Sequence, residues 1–135
     1  MFQQEQNGLW LATVDLCQAT FDWRRGQAIG ATEAAVRARS LFEREGSRSR
    51  AAQCDALLGE IRLAKGDARG AADHFARGLA VLRGADVPAV VYSCRYGLGR
   101  TEQAIGHTER ALFHYRQAVE DVERLQTAIG AEDYK

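Results

Sequence analysis

Three cysteines, Cys17, Cys54 and Cys94, and three histidines, His74, His107 and His114, are the residues whose types could do covalent or metal chemistry. A Cys-His dyad needs a thiolate held beside a base in an electropositive, partly open setting. Each cysteine instead lies in an alanine-rich helical stretch, where a thiol is expected to pack as a small apolar group. Cys54 and Cys94 stand 40 apart in the numbering, which marks them as equivalent packing positions. His107 and His114 are seven apart, whereas chelation along one helix uses spacings of three or four, and no cysteine or carboxylate completes a set of four ligands. No GxGxxG and no phosphate-binding glycine loop with its lysine occurs. The expectation is a chain with no catalytic residue, no metal and no cofactor. An enzyme with a Cys-His site in a groove is the less favoured alternative.

The elements that would carry these residues are set by a repeat. Gly26, Gly66 and Gly106 recur at a constant spacing of 40, and the residues around them recur in order. A small residue follows each glycine (Ala31, Ala71, Ala111), then a core residue (Ala35, Phe75, Tyr115), then a second small one (Ala38, Gly78, Ala118). Leu58-Gly59 and Leu98-Gly99 match upstream. A repeat of this length predicts one helical hairpin per copy, whose apolar face is buried only by stacking on its neighbours. Solenoids of this kind usually bind other proteins or peptides.

Composition bounds the partners. The 135 residues predict one domain over 1–135, 46% hydrophobic and 27% charged, with a single proline. Eighteen basic and eighteen acidic side chains cancel, so the lopsided positive charge that nucleic-acid backbones require is missing. No nucleic acid and no membrane are expected as partners. The first ten residues hold Glu5 and no basic cluster, and Asp15 interrupts the following apolar stretch, unlike a signal peptide or a membrane span. An odd cysteine count without a CxxC pair fits a reducing compartment, and a cytoplasmic protein is expected.

Periodicity and breakers predict six helices: 8–24, 28–45, one from Ser47 or Ser49 to 65, 68–83, 88–105 and 108–129. The repeats run 8–46, 47–86 and 87–130. Leu9, Val14, Cys17 and Phe21 stand at helical spacing on the first helix. Ala111, Tyr115, Ala118, Val122, Leu125 and Ile129 form the seam of the last. Gly46 and Gly66 suit left-handed helix ends, Asp67 an N-cap and Pro88 a first turn. Gly59, Gly78, Gly99 and Ala118 are expected where helices cross, because a helical glycine costs about 1 kcal/mol against alanine and needs a packing reason.

Leu58-Gly59, Lys65-Gly66-Asp67, Ala71, Phe75 and Gly78-Leu79, repeated as Leu98-Gly99, Gly106, Ala111, Tyr115 and Ala118-Val119, resemble the tetratricopeptide repeat. The first copy, Gly26, Ala31, Ala35 and Ala38, lacks the Leu-Gly and the aromatic, and the period is longer than the family's usual one of about 34 residues. The resemblance implies an all-α, right-handed α-solenoid of three hairpins whose first helices line a concave groove. By position that groove holds Thr13, Leu16, Thr20, Trp23 and Arg24, then Gln53, Ala56, Glu60 and Leu63, then Ser93, Tyr96, Arg100 and Gln103. Trp23, Tyr96 and Arg100 are types enriched at binding hot spots. The Lys and Asn set with which co-chaperone repeats clamp a terminal carboxylate is missing. The C-terminal run from Ala118 to Lys135 also resembles the last repeat helix before the caspase-like CHAT domain of bacterial proteins, and similar repeats precede DNA-binding domains in large bacterial regulators. Either implies a regulatory or sensing segment of a longer protein.

The ends carry a further expectation. The first helix is apolar on several sides, and no capping helix follows the last hairpin, whereas terminal repeats of a solenoid need polar faces. The chain is expected to self-associate through its terminal helices or to be covered by another domain, with Trp10 and Phe113 as contacts. The plainer alternative is that Phe2 and its neighbours fold back over the first helix.

Overall fold

The computed structural model describes residues 2–85 and 87–133, and the side chains of 7–85, 87–127 and 129. Six helices follow one another: α1 Phe2–Arg24, α2 Ala28–Arg44, α3 Arg48–Ala64, α4 Ala68–Val81, α5 Pro88–Ile105 and α6 Thr108–Asp133. The chain is all-α, with no strand among the described residues. Packing is most extensive within the pairs α1/α2, α3/α4 and α5/α6, then between α2 and α3 and between α4 and α5; α3 also touches α5 and, slightly, α1. No helix packs on one more than two places along the chain among the described residues.

One turn geometry recurs. Gly26, Gly46, Gly66 and Gly106 have φ of +78°, +78°, +86° and +100°, left-handed values that glycine alone adopts without steric cost. After each, the next amide donates back across the helix end: Gln27 to Asp22, Ser47 to Phe42, Asp67 to Arg62 and His107 to Glu102, at 2.8, 2.8, 2.9 and 2.8 Å. This is the Schellman closure, which satisfies carbonyls left open at a helix end. The turns inside the pairs and the turn between α2 and α3 therefore match, and Gly26, Gly46 and Gly66 are evenly spaced. The α4 to α5 connection departs from this. Its left-handed glycine is Gly84, and α4 ends at Val81, two residues before the sequence boundary. Pro88 then occupies the first turn of α5, where its missing N–H costs nothing.

Asp67 caps α4, its Oδ1 accepting from the Gly70 amide at 2.9 Å. Ser47 stands at the N-cap of α3, but its hydroxyl makes no capping bond. The core is largely alanine: Ala12, Ala19, Ala31, Ala34, Ala35 and Ala38 are buried between α1 and α2. Small side chains let the helix axes approach, and Phe42 and Phe75 supply bulk, each worth about 1.5–3 kcal/mol when fully buried.

Glycines make room for the large rings. A Cβ built on Gly59 would stand 2.7 Å from the Phe75 ring, and one on Gly97 only 2.3 Å from it. Phe75 thus wedges between α3 and α5. Gly99 gives the same room to Tyr115, 2.6 Å from a built Cβ, and Gly78 faces Cys94 Sγ at 2.8 Å. Gly59 and Gly99 sit where α3 meets α4 and α5 meets α6, as the sequence predicts, and Gly78 faces α3 at Ala52 and Asp55 while standing tighter still against Cys94 of the following pair. Gly97 is an additional member.

Two faces differ from expectation. On α1 the buried residues are Ala12, Leu16 and Ala19, while Leu9, Val14, Cys17 and Phe21 are exposed. The helix carries apolar residues on two sides, and α2 covers one. Cys17 is consequently an exposed thiol, not a packed one. On α6 the seam is buried at Ala111 and Ala118 and open at Leu125 and Ile129. The cause is length: α6 has 26 residues and α5 has 18, so α6 overruns its partner by roughly 12 Å at 1.5 Å per residue. The fold-back expected of Phe2 falls on side chains outside those described.

Candidate binding surface

Exposed side chains gather on α5 and α6. Tyr92 and Tyr96, one turn apart on α5, stack with ring centres 5.8 Å apart and planes 13° from parallel. Tyr96 meets Tyr115 of α6 at 5.6 Å and 49°. The Arg100 guanidinium lies over the Tyr96 ring, 5.9 Å from its centre, a cation–π distance. The Tyr115 hydroxyl donates to Gln103 Oε1 at 2.8 Å. Three residues expected in the groove, Tyr96, Arg100 and Gln103, are thus joined by Tyr92 and Tyr115 in one aromatic platform with an arginine edge. Burial first, then the neighbouring Tyr96, raises the Tyr115 phenol above its ordinary value, against Arg100. Tyr115 therefore acts as a neutral donor near neutrality. Ser93 is half-buried, its hydroxyl donating to the Ala89 carbonyl.

On α3, Gln53 and Glu60 are exposed, Leu63 is half-buried against the Phe75 and Leu98 cluster, and Ala56 is buried. Desolvation raises the Glu60 carboxyl, with the Arg100 charge opposing it. α3 and α5 are in contact. Glu60 on α3 thus feels the charge of Arg100 on α5.

On α1 the residues are less free. Thr13 and Thr20 give their hydroxyls to the Leu9 and Leu16 carbonyls, Trp23 is half-buried and Arg24 exposed. Leu16, expected on the groove wall, is a core residue, 5% exposed and packed with Ala12, Ala38, Phe42 and Cys54.

The thiols and imidazoles form no nucleophilic pair among the described residues. Burial, followed by the charge of Asp55, pushes Cys54 and Cys94 up to about 12, the reverse of what activates a cysteine. The His74 Nδ1 lies 3.2 Å from Asp55 Oδ1, and His107 Nδ1 lies 2.7 Å from Glu102 Oε2. His114 is held below its ordinary value, first by burial and also by Arg95, against Glu102. Among the described residues no three His, Cys, Asp or Glu side chains are grouped as a metal site requires.

Two buried carboxylates were not singled out by sequence reasoning. Asp55 of α3 is fully buried and takes both oxygens to Arg39 Nε of α2, each at 2.9 Å, as well as facing His74 of α4. Burial opposes the Arg39 charge, but Asp55 and Glu43 outweigh it and hold the guanidinium above its ordinary value. Asp121 of α6 is buried beneath Arg95 of α5, at 2.8 Å, and Arg124. Its Oδ2 has no hydrogen-bond partner among the described residues. A signal existed: Asp15, Asp55 and Arg95 are 40 apart, charges at one position on otherwise apolar helix faces. A cleft of about 490 Å³ beside Arg95 is lined by Leu79, Leu82, Arg83, Val91, Leu98 and Arg124, among others.

Among the described residues, no helix is long and apolar enough to cross a membrane. No protein-family model matches this chain, and no curated protein matches it.

Proposed function

We propose that this chain is a non-enzymatic module for binding a protein or peptide, built as a right-handed α-solenoid of three tetratricopeptide-like hairpins with a period of 40 in the numbering. The hairpins are α1/α2, α3/α4 and α5/α6, forming one domain over 1–135, and α1, α3 and α5 line the groove. The observation that carries this reading is the Tyr92, Tyr96 and Tyr115 platform with Arg100 and Gln103 at its edge. Aromatic rings offer contact area at little entropic cost, and tyrosine and arginine dominate the energetics of many interfaces. Glu60, desolvated and coupled to Arg100, adds an acidic contact beside it. Such a surface suits an extended segment presenting apolar or aromatic side chains and at least one carboxylate for Arg100. The resemblance to repeats that precede CHAT or DNA-binding domains supports a regulatory or sensing role within a larger, cytoplasmic bacterial protein.

Selection of phage-displayed random peptides on the immobilised chain tests this. Enriched peptides should bind the Tyr96→Ala and Arg100→Ala variants at least about tenfold more weakly, equivalent to about 1.4 kcal/mol. Peptides that bind these variants as tightly as the parent, or no enrichment at all, would remove the groove from consideration. Catalytic activity lost in Cys54→Ala or Cys94→Ala with the fold intact would replace binding by enzymology.

A further inference from the structure

Several of the apolar residues left open at the two ends stand at positions that are buried or half-buried in the interior helices. Inside the molecule, two junctions join successive pairs: α2 against α3 and α4 against α5. On the receiving side, Ala51, Cys54 and Ile61 of α3 are buried, and so are Cys94, Leu98 and Thr101 of α5, with Val91 half-buried. The residues 40 positions before Ala51, Cys54 and Ile61 are Leu11, Val14 and Phe21 of α1. These are 55%, 45% and 54% exposed. On the giving side, Ala72 and Leu79 of α4 pack against the cluster that contains Leu98 of α5. Their counterparts on α6, Leu112 and Val119, are 48% and 55% exposed. Among the described residues the chain thus carries both halves of a third junction and closes neither.

The two halves can be compared residue by residue with the interior junctions. Across the α2/α3 junction a small Ala35 lies in a cluster with Leu58, and Leu57 packs beside them. Across α4/α5 the large Phe75 meets Gly97. At the ends the corresponding residues are Tyr115 and Cys17; Cys17 has the Cβ that Gly97 lacks, so the half-buried Tyr115 ring must sit further out than Phe75 does. Ala38 lies in the cluster with Cys54, and Gly78 touches Cys94; the corresponding pair is Ala118 and Val14. Ala76 lines the cleft beside Arg95; the corresponding pair is Arg116 and Asp15, of opposite sign. On α1, Trp10, Val14, Cys17 and Phe21 share one open apolar side of the helix.

We infer that a second copy of this chain docks head to tail, the open face of its α1 (Leu11, Val14, Phe21) closing on the open face of α6 (Leu112, Val119), and so repeats the α4/α5 junction between molecules. The contact is heterologous, so it propagates into an open array or closes as a ring. It does not depend on what the groove binds, and the experiment keeps the two questions apart.

Two blocked variants test it: Leu11→Glu/Val14→Glu, which spoils the α1 face, and Leu112→Glu/Val119→Glu, which spoils the α6 face. All four positions are exposed, so both variants should keep the parent's helix content by circular dichroism. In sedimentation at increasing concentration the parent chain should form species larger than a dimer, and each variant alone should stay monomeric. An equimolar mixture of the two should give a heterodimer and nothing larger, because one intact junction remains. In the parent chain the same association should slow thiol labelling of Cys17, the exposed cysteine, at least about tenfold, the change expected if nine-tenths of the molecules are docked. A parent chain that stays monomeric at high concentration overturns the inference. So does a variant that dimerises by itself, which would mean a symmetric contact through α1 or through α6, or a mixture that fails to pair.

Discussion

The second and third helix pairs put different residues at the same repeat positions. Phe75 and Tyr115 are 40 apart, and each ring fills the space left by a glycine of its partner helix, Gly59 or Gly99. Phe75 is also pressed by Gly97 of the next pair and is fully buried. Tyr115 has no following pair among the described residues; it stays half-buried and spends its hydroxyl on Gln103. The charges differ in a parallel way. Asp55 is enclosed by α2, α3 and α4, and both its oxygens are paired, whereas Asp121 has one paired oxygen and one without a partner among the described residues. An interior pair turns the repeat positions into core; a terminal pair leaves them as surface.

The largest expected break in this contrast is at the carboxylates. Asp55→Ala leaves the largely buried Arg39 guanidinium with Glu43 alone and should cost about 3 kcal/mol, read as a drop in denaturation midpoint. Asp121→Ala should cost less, because Arg124 is largely exposed and its charge returns to water. Equal losses would mean that the two pairs are enclosed alike. Next come the glycines. Gly59→Leu and Gly97→Leu should each cost about 1–3 kcal/mol or more by overpacking against Phe75, and Gly99→Leu less, since Tyr115 can swing outward. A melting temperature unchanged in Gly97→Leu would refute the wedge.

The thiols sharpen the comparison because here the two pairs agree. Cys54 and Cys94 are raised from 9.0 to about 12 by burial. A raised acid keeps its proton in the folded chain, so its contribution to stability is whole below pH 9 and falls as pH climbs toward 12. Near pH 10 the loss should be about 1 kcal/mol per thiol, and a Cys54→Ala/Cys94→Ala variant should flatten that alkaline slope. A slope unaltered by the double substitution would assign it to other groups. The smallest effect separates two helix starts. Asp67→Ala removes a cap and should cost about 1 kcal/mol, whereas Ser47→Ala, whose hydroxyl caps nothing, should be nearly neutral by chemical denaturation.

What the sequence made legible was local. The left-handed glycines, the Asp67 cap, the proline that opens α5 and the small residues facing Phe75 and Tyr115 are each dictated by backbone geometry or by a partner at fixed spacing. What it hid depended on which neighbour is present. The α1 periodicity of Leu9, Val14, Cys17 and Phe21 is a real helical face, yet a stripe does not say whether anything lies opposite, and Leu16 turned out to hold α1 to α2. Asp55 carries no local sign of its burial, because the groups that enclose it, Arg39 and His74, are 16 and 19 residues away. Within the candidate surface, Tyr96, Arg100 and Gln103 were legible by position, while Tyr92 and Tyr115 joined them only through packing between α5 and α6.

The matching turns at Gly26, Gly46 and Gly66 erase the distinction between the inside of a repeat and its boundary. The segment from Gly26 to Gly66 begins and ends on the same backbone geometry as any neighbour would offer it. Duplicating or deleting that segment would return the chain to its path in phase, with no new loop to invent. Length is thus a quantity that inheritance can change in whole steps, and a splice that kept the glycine but shifted the count slightly would fail.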